Sequence, residues 1–235
     1  LSLFTAAALL IGMLPAAFAG YENFTVKTAY PAGQFTDVPA TEWYAENVRA
    51  AYEYGLVDGV SATKFSPDSY LTVAQAIKLA ACLHSVYTNG TSEFASARPW
   101  YQPYVNYALE NGIIASTYTD YEKKATRAVF AAILGNALPA EALEEINSIP
   151  DNGIADVSST ATYAAQVYRL YRAGVLTGSN SAHDFKPSTY IKRSEVAAIV
   201  TRMADPTLRK SFSIEVSTGM TANEIYDACV PAIFK

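Results

Sequence analysis

A chain of 235 residues is long enough for one large domain or several small ones, and a net charge of −5 argues against a nucleic-acid binder, because neutralising phosphate needs a basic surface. Two cysteines, Cys82 and Cys229, and two distant histidines, His84 and His183, give no metal-ligand spacing, so neither a metal nor another cofactor is expected. Export would let the cysteines pair; Cys82, inside a helical apolar pattern, reads instead as a small packed hydrophobe. Seventeen Tyr suit either exposed carbohydrate-facing surfaces or half-buried helix positions, and the second is the plainer reading.

In chain order, Leu1 to Ala19 is almost wholly apolar and ends Pro15-Ala16-Ala17-Phe18-Ala19. Small residues at Ala17 and Ala19 fit a cleavage site, so 1–19 reads as a secretory signal peptide entered within its apolar region. A retained membrane anchor is the rival. Residues 20–34 are polar and aromatic without a period and read as a linker.

An internal repeat follows. Setting Asp156–Gly178 under Asp37–Gly59 without a gap gives nine identities in 23 positions, where unrelated segments share one or two. A third copy lies between: Trp43-Tyr44 matches Trp100-Tyr101, and each Trp stands 12 residues before a Gly, Gly55 or Gly112. The expected units are 35–90, 91–148 and 149–205, with 206–235 the start of a truncated downstream region. In each unit a first helix carries one apolar stripe, at Val48, Ala51 and Tyr52, at Val105, Ala108 and Leu109, and at Val167, Leu170 and Tyr171. Asp37 and Asp156 are expected to cap these helices from the N-terminal side. Gly55, Gly112 and Gly174 should end them in the left-handed conformation.

A loop then closes on Phe65-Ser66-Pro67 in the first unit and Phe185-Lys186-Pro187 in the third; the second lacks this and is three residues shorter. Second helices repeat the spacing at Ala76, Leu79 and Ala80, at Phe130, Ile133 and Leu134, and at Val196, Ile199 and Val200. One such pair cannot bury its apolar face alone, so the three are expected to share a core, giving an all-α fold.

Phe35-Thr36-Asp37-Val38, Trp43-Tyr44-Ala45, Gly55 to Gly59, Phe65-Ser66-Pro67 and Leu71-Thr72 resemble the S-layer homology (SLH) repeat, in three tandem copies over about 35–204. The resemblance implies a bundle of three helix-loop-helix repeats with pseudo-threefold symmetry. It further implies non-covalent anchoring of exported bacterial proteins, through secondary cell-wall polysaccharide, often pyruvylated, or a peptidoglycan-linked glycan, held in grooves between repeats. The family's principal contact is a basic residue opening the second helix. Here that position holds Arg127 and Arg193, with Lys192 beside the latter, but Val73 in the first repeat. Supporting contacts map to Asp37 and Asp156, Trp43 and Trp100 (Thr162 in the third repeat), and the loop glycines Gly59 and Gly178, which are turn formers first. Two competent grooves at most are expected.

The chemistry agrees with the resemblance. A guanidinium offers paired donors to a sugar-borne carboxylate, and aromatic rings cover the apolar face of a sugar. The plainer alternative for Arg127 and Arg193 is a salt bridge, for example from Arg193 to Glu195 or Asp156. Trp43 and Trp100 read as packing residues whose edges reach a groove. An enzyme is not expected: no carboxylate pair stands out and neither His lies near a nucleophile motif. The remaining rivals are an anchor of a secreted glycan-active enzyme whose catalytic domain lies elsewhere, and a structural module that self-associates in a surface layer. No membrane partner is expected once the signal is cleaved.

Overall fold

A computed structural model describes residues 20–214; the expected signal segment 1–19, Cys229 and the rest of 215–235 lie outside the described residues. Among the described residues the fold is all-α. Six helices come in three pairs: α1 (Ala45–Glu53) with α2 (Val73–Asn89), α3 (Gln102–Glu110) with α4 (Arg127–Leu134), and α5 (Ala164–Arg172) with α6 (Arg193–Ala204).

The short helices all end alike. Gly55, Gly112 and Gly174 take φ of +67°, +67° and +70°. Each glycine N–H bonds back to the carbonyl of Tyr52, Leu109 or Tyr171, and the next N–H reaches Ala51, Ala108 or Leu170. Two orphan carbonyls are thereby satisfied at every end. The apolar stripes lie where their spacing put them, with Val48, Ala51, Val105, Ala108, Val167, Leu170 and Tyr171 buried. Leu109 departs from its column: it is exposed on the last turn of α3.

Pairing in sequence is not pairing in space. Each short helix packs on the long helix of another unit, α3 on α2, α5 on α4 and α1 on α6, so the three units close into a cycle. The residues just before the long helices complete it. Leu71 N–H donates to the Ile191 carbonyl (3.3 Å), Ile191 to Ala125 (3.2 Å) and Ala125 to Leu71 (2.8 Å), all three side chains being buried. The first N–H groups of the long helices, which lack intrahelical partners, are taken by another unit's loop: Val73 donates to Lys123, Arg127 to Thr189 and Arg193 to Ser69. Thr72 and Thr126 add side-chain caps, accepting from Gln75 and Val129 N–H. At Lys192, which has no acceptor, Glu195 instead receives the Lys192 backbone N–H at 2.9 Å.

Residues 20–34, expected as a linker, are part of the fold. Tyr21–Asn23 forms a 3-10 turn against α2, Lys27 N–H donates to the Glu53 carbonyl (2.7 Å), and Tyr30 meets Phe35 and Tyr52 edge to face. The third unit repeats the device, Ile146 N–H donating to the Arg172 carbonyl (2.8 Å). After α6 the chain also folds back. Lys210 N–H bonds the Gly174 carbonyl, and Phe212 stacks on His183 at 4.4 Å. Residues 206–214 therefore cover the third unit rather than open a new one.

Candidate functional site

The cyclic packing leaves a seam beside each loop, and two seams form cavities. The first, about 240 Å³, lies between the loop Leu56–Val60, the α2 residues Gln75, Lys78 and Leu79, and Arg193. The second, about 340 Å³, lies between Leu176–Ser179, the α6 residues Glu195, Ile199 and Arg202, Arg127, and Trp43. Each is thus assembled from a loop and long helix of one unit and the opening arginine of another, and the second adds Trp43 from the remaining unit.

Asp37 and Asp156 shape the loops. Asp37 accepts from Phe65 and Ser66 N–H, both at 2.9 Å; Asp156 accepts from Phe185 (2.9 Å) and Lys186 (2.6 Å). The sequence reading expected each to cap a helix, and neither does: α1 and α5 start at Tyr44 and Tyr163 without a side-chain cap. The carboxylates instead hold Ser66 and Lys186 at φ of +58° and +57°, a left-handed conformation that disfavours side chains by about 1–2 kcal/mol. Partial burial raises the Asp37 carboxyl, but the backbone N–H groups of Phe65, Ser66 and Asp37 itself outweigh it and leave it below the usual carboxylate value. Gly59 and Gly178 are the close-approach points of these loops. A Cβ on Gly59 would come within 2.3 Å of the Ser61 carbonyl oxygen, and one on Gly178, at φ +82°, within 2.5 Å of the His183 backbone.

Both arginines lean on the loop of another unit. Arg193 donates from Nε to the Phe65 carbonyl (2.8 Å) and from Nη2 to the Asp58 carbonyl (2.6 Å), its guanidinium 4.5 Å from the Phe65 ring centroid. Arg127 donates from Nε to the Phe185 carbonyl (2.6 Å), lies over the Phe185 ring, and pairs through Nη1 with Glu195. The two differ in one respect. Arg127 is buried against a carboxylate, whereas Arg193 has no ion pair among the described residues and keeps its Nη1 group unbonded. The ion pair expected as the plainer alternative, Arg193 with Glu195 or Asp156, does not form; Glu195 turns to Arg127. Burial lowers the Arg193 pKa against the pull of the Asp58 and Asp37 carboxylates, neither of which forms an ion pair with it.

The other expected contacts divide. Trp43 lines the second cavity and is 62% exposed, an open ring rather than a packed one. Trp100 is 44% exposed and meets Tyr104 at 6.4 Å near the outer edge of the first seam, but does not line its cavity. Lys192 points away from both cavities and pairs with Asp68 at 2.8 Å, since the helix turns its side chain off the Arg193 face. Sequence reasoning missed Lys78, Asp58, Gln75 and Arg202. Their signal was present in the repeat alignment: Gln75 and Lys78 stand where the third unit has Glu195 and Ala198.

At the third seam five losses that look scattered along the sequence meet. Its loop belongs to the second unit, where Ala97-Arg98 replaces the clamping Asp, and Thr119 and Tyr121 stand in for the Phe and Pro. Val73, buried, replaces the opening arginine, and its N–H bonds Lys123 of that loop. Thr162, which leads into α5 against α4, replaces the Trp. Tyr121 stacks on Tyr101 at 4.7 Å instead. One seam has lost all its parts together, while the other two keep theirs.

Fold and seams define a class: helical repeats closed in a cycle, each lending side chains to a neighbour's groove. Within that class, residues 34–77 match the model of the S-layer homology domain family. The Surface-layer 125 kDa protein of Lysinibacillus sphaericus is 39% identical over 84 residues, 34% of this chain and 7% of that protein. The S-layer protein of Bacillus thuringiensis subsp. finitimus is 24% identical over 196 residues, 81% of this chain and 23% of the relative. An endoglucanase of Bacillus sp. (strain KSM-635) is 27% identical over 188 residues, 77% of this chain and 19% of the enzyme. The chain therefore spans no more than about a quarter of these relatives' length. These likenesses place it at the cell surface. No helix among the described residues is long and apolar enough to cross a membrane.

Proposed function

We propose that the chain is a non-catalytic anchor that holds an exported protein to the cell surface by binding an acidic secondary cell-wall polysaccharide in the Arg193 and Arg127 seams. The carrying observation is the pattern of retention: two seams keep the arginine, the carboxylate-clamped loop and the Phe together, and the third has lost all of them. These parts also hold one another, the acid and the arginine both bonding the Phe backbone, so what points to a ligand is the guanidinium each intact seam keeps at its cavity. A guanidinium at the mouth of a small cavity meets a sugar carboxylate with paired donors, and Trp43 offers a face to the ring. The units 91–148 and 149–205 are read as further SLH repeats on the same grounds. The endoglucanase likeness, confined to 19% of that enzyme, fits a shared anchoring part.

The test is cosedimentation of the full chain with cell walls before and after the wall polysaccharide is stripped. The reading expects binding that disappears with the polymer. Equal binding to stripped walls would redirect the search to peptidoglycan, and self-association without wall binding would favour a lattice role.

A further inference from the structure

The two retained seams line their cavities with the same formal charges, two cations and one acid, but pair them differently. In the Arg127 seam the guanidinium is already joined to Glu195, and the second cation, Arg202, is turned inward to donate to the Val175 carbonyl at 3.0 Å. In the Arg193 seam the residue matching Glu195 is neutral Gln75, whose side chain accepts the Thr72 N–H. Three residues on, one helical turn along the same face of α2, Lys78 lines the cavity where the other seam has Ala198. Lys78 forms no ion pair among the described residues. Its Nζ stands 5.7 Å from the Tyr104 ring centroid, and the Tyr104 ring continues to Trp100 and to Phe94 at 4.6 Å. The acid of this seam, Asp58, gives its backbone carbonyl to Arg193.

We infer that the Arg193 seam is the principal glycan site and that Lys78 is its second charged contact, extending the site along α2 toward the aromatic face of α3. This rests on the anchoring reading above and adds to it. The ligand class is an acidic glycan fragment longer than one sugar: its acid group meets Arg193, and an oxygen of the same or the adjoining unit meets Lys78 where that residue faces Tyr104. The Arg127 guanidinium is already paired with Glu195 and the Arg202 beside it is drawn inward to Val175, so this seam is the weaker of the two.

The experiment is calorimetric titration of the full chain with soluble polysaccharide released from Gram-positive cell walls, with and without mild-acid removal of its pyruvate ketals. Wild type is compared with Lys78→Ala, Lys78→Arg, Arg193→Ala and Arg127→Ala, each first checked for unchanged melting. Lys78→Ala should weaken binding about tenfold, Lys78→Arg should restore most of it, and Arg193→Ala should cost more than Arg127→Ala. The Lys78 effect should shrink in high salt, as a half-exposed charge contact does. Full binding by Lys78→Ala with loss in Arg193→Ala would overturn the Lys78 assignment and leave the anchoring reading standing. A larger loss in Arg127→Ala than in Arg193→Ala would overturn the ranking of the seams. Absence of binding by wild type would overturn both readings.

Discussion

Asp37 gives both carboxylate oxygens to the loop that carries Phe65, and the Phe65 carbonyl in turn receives Arg193. The acid therefore positions the arginine through the loop. Its pKa is depressed in the folded chain, so its stabilisation is complete above the ordinary carboxylate value of 3.8 and is lost as pH falls through the folded value. Asp37→Asn should be less stable than wild type at neutral pH, with the gap closing below about pH 3.8, as thermal melts across pH will show. Arg193→Ala should cost about 1.5–3 kcal/mol of glycan binding, the worth of a hydrogen bond to a charged group. Arg193 and Arg127 were legible from their places in the repeats. That Glu195 belongs to Arg127 was not, because the two lie 68 residues apart and meet only through the cycle.

At the scale of elements, the glycines closing the short helices separate two effects. A Cβ on Gly112 would stand in open space, whereas one on Gly174 would lie 2.6 Å from both Ile146 Cδ1 and the Lys210 carbonyl oxygen. Gly112→Ala should cost only the left-handed strain, about 1–2 kcal/mol; Gly174→Ala should cost clearly more, because it also unseats 146–147 and 210–212. Chemical denaturation of the two variants will measure the difference. The core of α5 offers a calibration: Leu170→Ala, at a fully buried position, should destabilise by about 2–5 kcal/mol. Periodicity and the C-terminal glycines made all six helices legible. The folding of 20–34 and 206–214 was hidden because backbone hydrogen bonds hold those segments to other units, and such bonds leave no period in sequence. Leu109 was misread for a related reason: apolar spacing marks a face but not whether a neighbour covers it.

The whole molecule explains why one seam lacks the side chains the other two keep. Each seam draws on three units, so a single loss in each unit can fall on one place, and here they do: Val73 from the first, the shortened loop from the second, Thr162 from the third. Restoring one part should not restore the site. Val73→Arg is expected to leave the number of glycans bound unchanged, since the facing loop has neither a Phe ring under the guanidinium nor an Asp to clamp it, and to lower stability because Val73 is fully buried. The three helix pairs could be read from the sequence; the cyclic exchange of helices that decides which residues share a seam could not.

The most direct test is binding of the Arg127→Ala/Arg193→Ala double variant to polysaccharide-bearing cell walls, with circular dichroism and melting confirming that it folds. Loss of wall binding by a folded double variant is the predicted result. A folded double variant that binds walls as wild type does would contradict the account, showing that these seams do not hold the glycan.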